Sequence, residues 1–525
     1  MALPESAATV PSNQDDHVEG NAMTATDAAA PAVRPGYRFY VLAILILVYM
    51  LNFLDRQIIG ILAGPLKAEF GLTDSQFGLL GGIAFASVYS TLAIPLAWLA
   101  DRYSRVWIMT GALAVWSGFT ALCGFAGSFG QLFLFRMGVG VGEAGGVAPA
   151  YSLIADYFPP HQRARALAAF AFGIPLGTAA GTLVGGLLAA AYGWRTAFVA
   201  VGLLGLILAP LLLFTVRNPK RGGTDTIKTE AELAVIAAAP VVGSGRSGAI
   251  ASLIMLGIGA GALALAALIR FGGLSLGNPL VFAFGGLLAT VIGISLAIAR
   301  RTASAVIPKP SFWLLALGAA SSSVCGYGVA GWLPLFFMRS FGLTLTQTSW
   351  YYAGIALIGG TLGIWLGGAI ADKLSKRGKG AYPLTPAIAF LISAPMFILA
   401  MNSPWLIGLV IPGGGTNAQQ LILAFLIFLI PTGLNLAWLG PITASIQHLV
   451  PAPMRSTASA LFLLINNLLG LAVGFYYFGW MSDQLRPVFG DESLRWAIYT
   501  GMGFYVLAAV LLIGASRTLK KDWVD

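Results

Sequence analysis

Apolar stretches of about 20 residues or more recur along almost the whole chain, and that is the length a helix needs to cross the hydrocarbon of a bilayer. Within hydrocarbon every backbone polar group must be satisfied inside the segment, which leaves helices or a closed barrel. Barrel strands alternate polar and apolar residues in short segments, and these stretches do not. Of the 525 residues 58% are hydrophobic and 10% charged, against about 45–50% and about 25% in soluble chains. Soluble multidomain architecture and a disordered scaffold are therefore excluded. The pattern predicts an all-α polytopic membrane protein.

Fourteen candidate spans follow from the hydropathy pattern: 37–65, 76–100, 106–127, 130–157, 164–192, 195–216, 249–269, 275–299, 311–338, 346–371, 382–401, 420–449, 455–482 and 494–516. Residues 1–36 are polar and acidic, and are expected to form a disordered cytoplasmic tail. A six-helix half is expected over 37–216 and a cytoplasmic linker over 217–248. An inserted transmembrane hairpin with its linker follows over 249–310, then a second six-helix half over 311–516 and a cytoplasmic tail over 517–525. The net charge of +10 sits mostly in loops on one side. Arg102, Arg105, Arg163, Arg165, Arg300, Arg301, Lys373, Lys376 and Arg455 fall on that side, so the Lys/Arg asymmetry places both termini in the cytoplasm. A bacterial inner membrane is the expected location. Basic loops between spans speak for orientation and not for nucleic acid, and a monomer is expected. Cys123 and Cys325 lie in separate spans, and the three histidines are scattered. No metal spacing, nucleophile–base pair or P-loop occurs, so neither an enzyme nor an ATP-driven pump is expected, and no cofactor.

An internal repeat sharpens the topology. Asp101-Arg102-Tyr103-Ser104-Arg105 and Asp372-Lys373-Leu374-Ser375-Lys376 both read D-[RK]-x-S-[RK] at a cytoplasmic turn. At an offset of 292, Pro149, Pro159, Arg163 and Ala166 match Pro441, Pro451, Arg455 and Ala458. Two matches at equivalent topological positions indicate parallel homologous halves.

The doubled turn resembles the signature between the second and third helices of each half in the major facilitator superfamily. Arg136-x-Gly138-x-Gly140-x-Gly142-Glu143 resembles that superfamily's fourth-helix motif. Asn52-Phe53-Leu54-Asp55-Arg56, Gly140-Val141-Gly142-Glu143-Ala144 and Ile154-Ala155-Asp156-Tyr157-Phe158 are similar to the Spinster-like branch. The likeness covers about 45–221 well and 311–516 in outline. The hairpin is not part of the usual twelve-helix plan. The resemblance implies the major facilitator fold and an alternating-access secondary transporter with a lysolipid, sphingoid or other amphipathic anion as substrate. It also implies that Arg136 supports the coupling site.

The residues themselves point to chemistry. A charge within a span costs several kcal/mol and marks function by default. Asp55 reads as a proton site and Arg56, whose planar fork suits carboxylate or phosphate, as an anion site. A salt bridge that only locks packing is the alternative. Glu143 has no base within a turn of it. Desolvation there favours the neutral acid, as a proton-coupling carboxylate requires; a permanent pair with an arginine of another helix is the alternative. Asp55 and Glu143 lie about 25 and 21 Å from the cytoplasmic ends of their spans at ~1.5 Å per residue, so they share a height. Asn52, Arg56, Glu143 and Asn435, the repeat equivalent of Glu143, are the expected substrate contacts. Asp101, Arg102, Arg105, Asp156, Arg163, Asp372, Lys373, Lys376 and Arg455 are expected to form a cytoplasmic gate, with solvated turn charges as the alternative. The second half offers uncharged polar residues (Ser321, Ser322, Ser323, Gln447, Asn466, Asn467) and aromatics (Trp332, Tyr351, Tyr352, Trp438). The glycines of Gly173-x-Pro175-x-Gly177-x₃-Gly181-x₃-Gly185 predict close helix packing. The expected function is proton-coupled transport of a small-molecule or lipid substrate. A small organic anion or multidrug transporter is the second reading, and a non-transporting sensor or scaffold the third.

Overall fold

The computed structural model describes residues 35–219, 246–271, 279–375, 378–412, 414–451 and 454–524, and among these every regular element is a helix. Residues 1–34 of the tail expected over 1–36, and 220–245 of the linker expected over 217–248, lie outside the described residues. The first half contains α1 (Pro35–Ile61), α2 (Ala63–Phe70), α3 (Asp74–Gly78), α4 (Ala84–Arg102), α5 (Arg105–Cys123) and α6 (Phe129–Glu143). It continues through α7 (Val147–Tyr157), α8 (Pro160–Ala171), α9 (Gly173–Tyr192) and α10 (Trp194–Thr215). The inserted segment forms α11 (Arg246–Phe271), α12 (Pro279–Ile298) and α13 (Arg300–Val306). The second half runs through α14 (Pro310–Ser340), α15 (Leu345–Ser375), α16 (Ala381–Met401), α17 (Ser403–Val410) and α18 (Asn417–Leu434). It ends with α19 (Leu439–Gln447), α20 (Arg455–Asn467), α21 (Gly474–Phe489), α22 (Ser493–Gly501) and α23 (Gly503–Asp522).

Local chemistry starts and stops these helices. Thr73 with Gln76 and Thr416 with Gln419 close reciprocal capping boxes on α3 and α18, each satisfying two orphan backbone donors. Ser104 and Ser128 cap α5 and α6. Helix α23 continues through Asp522, past the boundary expected at 516, because Trp523 stacks on His448 (4.2 Å between rings) and Lys309 Nζ donates to the Asp522 and Leu449 carbonyls.

Ten of the described helices are long and apolar enough to cross a bilayer, or eleven if Phe282–Ile298 and Arg300–Val306, bent by 88°, count as one broken span. The sequence count of fourteen also includes 346–371, some of whose side chains lie outside the described residues, and differs otherwise in how runs divide. The 68-residue run Arg455–Asp522 would be about 100 Å long as one straight helix at ~1.5 Å per residue, yet it turns back at Gly490, where φ is 55°. The span expected over 130–157 breaks at Ala144–Gly146 into α6 and α7, 15 and 11 residues long, each too short for a crossing.

Small residues bring the helices together. A Cβ at Gly177 would fall 2.2 Å from the Met50 carbonyl oxygen, and one at Gly181 2.5 Å from that of Leu54. The glycine series of α9 therefore seats α1 against it. In the inserted hairpin, Gly259 and Gly286 allow similar contact between α11 and α12. Ser295 Oγ of α12 donates to the Thr91 carbonyl of α4 at 3.3 Å.

Candidate functional site

The two ends of the bundle are termed inner, holding Pro35 and Asp522, and outer, holding Asp74, after the orientation the Lys/Arg asymmetry predicts. Glycines set the site. On α6, a Cβ at Gly142 would lie 2.4 Å from the Trp116 backbone nitrogen, and one at Gly140 2.6 Å from the Phe85 carbonyl. This close seating against α4 and α5 leaves Arg136 and Glu143 beside α1. There Asp55 and Arg56, adjacent in sequence, pair away from each other. Arg56 Nε donates to Glu143 Oε2 at 2.8 Å, and Arg136 Nη1 approaches Asp55 Oδ1 at 3.5 Å. The Thr120 hydroxyl donates to Asp55 Oδ2. Asp55, Arg136 and Glu143 are 2%, 1% and 0% exposed.

The pairing is incomplete. Glu143 Oε1, Arg56 Nη2 and Arg136 Nε are buried without a hydrogen-bond partner. Aromatic faces hold the Arg56 guanidinium instead, with Tyr89 at 4.4 Å and Phe53 and Phe85 each at 5.1 Å. Cation–π contact of this kind stabilises a desolvated guanidinium.

A central cavity lies between the halves. Arg56, Arg136 and Gln57 line it from the first half; Ser323, Tyr327, Asn435, Tyr352 and Trp438 line it from the second. Asp55 and Glu143 are not among its lining residues. The cavity therefore presents guanidinium groups, with the carboxylates tucked behind them. Asn435 faces the cavity with its Oδ1 accepting the Tyr505 hydroxyl at 2.9 Å. Asn52, expected as a substrate contact, is 2% exposed and lines a separate small cavity within the first half. It lies on the α1 face turned into its own bundle, while Arg56, one turn on, reaches the centre. Trp332 packs away from the centre, its indole donating to the Phe475 carbonyl at 2.9 Å, and the Tyr351 hydroxyl donates to the Leu421 carbonyl.

At the inner end, Arg105 is 1% exposed and joins the α4–α5 turn to two places in its own half, α7 and the segment after α10. It pairs with Asp156, donates to Ser152 Oγ at 2.9 Å, and reaches Asn218 Oδ1 at 3.1 Å and the Pro219 carbonyl at 2.8 Å. Arg163 Nε donates to the Phe158 carbonyl at 3.0 Å. Arg102 lies 3.7 Å over the Trp98 ring and, like Asp101 and Lys373, is exposed. Arg455 is half-buried. The side chains of Asp372 and Lys376 lie outside the described residues.

The outer end holds a cluster that the sequence reading missed. Asp74, 0% exposed, accepts both nitrogens of the Arg339 fork at 2.9 and 3.0 Å, the Ser482 hydroxyl at 2.7 Å and the Lys67 ammonium. Asp483 accepts the backbone N–H groups of Asp74 and Ser75 at 3.1 and 2.7 Å, capping α3 from the opposite half. Four charged residues from both halves thus clasp the outer end. The available signal was charge complementarity: Lys67 and Asp74 flank one outer loop, and Arg339 and Asp483 end spans of the other half.

The family model described as Major Facilitator Superfamily matches residues 45–472. A protein of Mycolicibacterium smegmatis named an MFS-type efflux pump is 29% identical over 472 residues, covering 90% of both chains. Human protein spinster homolog 1 is 29% identical over 513 residues, covering 93% of this chain and 82% of that one. The solved structure of a bacterial homologue of the human lysosomal transporter Spinster, inward-facing and unoccupied, is 28% identical with a TM-score of 0.69. That match covers 94% of this chain and 99% of the other.

Proposed function

The chain belongs to the Major Facilitator Superfamily and is a multi-pass membrane transporter of Spinster type; on that footing we propose that it moves an amphipathic anion, lysolipid-like, together with a proton. One observation carries the reading: the central cavity displays the Arg56 and Arg136 guanidinium groups, while Glu143 and Asp55 stand behind them. A carboxylate or phosphate entering the cavity competes with Glu143 for the Arg56 fork. Once displaced, Glu143 is a buried carboxylate without a partner, which is costly, and it takes up a proton. Anion and proton are then bound together, the sign of a symporter. The apolar wall formed by Trp438, Leu439, Leu471 and Phe475 suits a hydrocarbon tail.

Alternating access follows from the two ends. The clasp around Asp74 holds the halves together outside, while the Arg105 network belongs to one half and moves with it. In this reading both termini lie in the cytoplasm, the chain acts as a monomer, and the domain boundaries follow the six-plus-six plan with the hairpin between.

The relative named an efflux pump favours a second reading, export of a small organic anion or drug on the same machinery. The test is uptake of a fluorescent lysolipid into proteoliposomes under an imposed pH gradient. Uptake that follows the gradient in the wild type and is lost in Glu143→Gln supports the first reading. Signal equal to protein-free liposomes sinks the lysolipid assignment and leaves the efflux reading, to be tested with organic anions.

A further inference from the structure

The central cavity ends at one level on its outer side. The outermost lining residues there are Gln57 on α1, Gly81 just ahead of α4, Ala330 on α14 and Phe475 on α21. Within one turn beyond them the backbones close up. A Cβ at Gly60 would lie 2.8 Å from the Gly331 carbonyl oxygen, and one at Gly78 2.9 Å from the Phe475 carbonyl oxygen. Gln57 Nε2 donates to the Ala330 carbonyl at 3.0 Å beside the same crossing.

The Phe475 ring fills this crossing. A Cβ at Gly81, in the first half, would fall 2.5 Å from its Cε1, and a Cβ at Gly331, in its own half, would overlap its Cζ. The ring thus sits in a socket that glycine alone leaves open, and the residue is 5% exposed. Gly81 and Gly82 belong to a π-helical turn, Leu79–Ile83, and Phe475 follows another, Leu468–Val473. The two turns pack on each other across the seam between the halves. Such turns are rare and recur at functional sites. A Cβ at Gly479, one turn along α21 from Phe475, would overlap the Asp74 carbonyl. The ring therefore lies about 5 Å beneath the outer clasp.

Two properties meet in this ring. It lines the cavity, so a bound molecule can lie against it. It belongs to the second half but is seated on the first, so the outer ends part when it leaves Gly81 and Gly82. In an empty transporter that movement puts one face of a phenyl ring in water, which is unfavourable. An apolar chain held against the ring covers that face as it comes free. A ligand shifts a two-state equilibrium only by its difference in affinity for the two states, and the ring supplies such a difference.

We propose that Phe475 is a second outer gate, worked by the apolar chain of the substrate, which takes the place of the Gly81–Gly82 seat when the loaded transporter opens outward. This rests on the lysolipid-like reading of the cavity, and adds that the tail, beyond the head group, sets the opening.

The experiment uses the full-length protein in lipid nanodiscs. Phe125 and Val488 are exposed at the outer ends of opposite halves. Spin labels on Phe125→Cys and Val488→Cys report the outer distance, while the buried Cys123 and Cys325 stay unlabelled. The probes are palmitoyl lysophosphatidylglycerol and its tail-free head group, glycerophosphoglycerol. The palmitoyl probe is expected to raise the ratio of outer-open to outer-closed molecules about tenfold, the value of keeping one ring face from water. The tail-free probe is expected to leave the ratio unchanged. Gly81→Ala, whose methyl group unseats the ring, and Phe475→Ala, which removes it, are each expected to raise the ratio about tenfold without any probe and to abolish the response to the tail. Displacement of a fluorescent lysolipid reports that the variants still bind. An equal shift by both probes overturns the proposal, because the head group then works the gate. So does palmitoyl binding without a shift, and so does a tail response kept in both variants. Loss of binding in both makes the ring a packing residue and also overturns it. A palmitoyl probe that does not bind the wild type removes the lysolipid reading itself, a result that binding alone tells apart from the others.

Discussion

Asp74 and Glu143 are both fully buried carboxylates, yet their surroundings are opposite. Asp74 takes a forked arginine, a lysine and a serine hydroxyl, so both oxygens are engaged. Glu143 takes one guanidinium nitrogen on one oxygen and nothing on the other. A saturated buried network specifies one geometry; a partly satisfied one keeps a high free energy that a ligand or proton can release. The difference teaches that intramembrane acids are not one class. In the cycle proposed above, the first acts as a strut that holds a state and the second as a group poised between two.

That contrast can be broken by substitution. The largest effect is expected from Glu143→Gln: gradient-driven uptake falls to the protein-free level while substrate exchange at equal pH persists, since the amide keeps shape but takes no proton. Loss of both activities together would make Glu143 a strut like Asp74. Next, Asp74→Asn leaves Arg339 and Lys67 without their anion. Breaking one side of a buried pair costs about 3 kcal/mol, or about a hundredfold in the closed population. The check is labelling of Ala330→Cys in the central cavity by an impermeant thiol reagent from outside, against the buried Cys123 and Cys325. An unchanged labelling rate would mean that Asp74 does not hold the outer end shut. Arg56→Lys keeps the charge but loses the fork, and KM is expected to rise about tenfold, the value of one charge-assisted hydrogen bond.

The smallest effect belongs to an acid outside the spans. Glu69 accepts the Trp194 indole and the Arg195 guanidinium, each at 2.5 Å, and these hold its carboxyl below the usual range. A lowered value stabilises the fold above the unfolded pKa, and that stabilisation is lost as pH falls through the folded one. The pair is substantially exposed, so Glu69→Gln should cost less than about 0.5 kcal/mol. Thermal unfolding in detergent at neutral and acid pH checks this: the small gap between wild type and variant closes on acidification.

Much of this was legible in the sequence, and the rest was hidden for definite reasons. The apolar spans and the doubled turn gave the architecture, because bilayer thickness and repeat offset act on sequence directly. The common height of Asp55 and Glu143 followed from helical rise. Their partners did not, because adjacent residues on a helix point about 100° apart and the cross-pairing with Arg136 and Arg56 depends on how closely α6 seats. The clasp at Asp74 was hidden because its members lie far apart in the chain, in a segment read as loop and span ends. Asn52 sits one turn from Arg56, and only packing shows that the two residues face different cavities.

The glycine series of α9 has a mechanical consequence. Met50 and Leu54 lie against Gly177 and Gly181 with no room for a methyl group, and Ile58 lies against Gly185, so α1 and α9 turn as a single shaft. The same shaft bears on the second half, where a Cβ at Gly186 would meet Ser349 Oγ at 1.8 Å and one at Gly360 would meet Pro175 at 2.9 Å. Torque applied by the second half at α15 is delivered through that shaft to Asp55 and Arg56 without passing through a loop. The helix that carries the charges is thus geared to the opposite half.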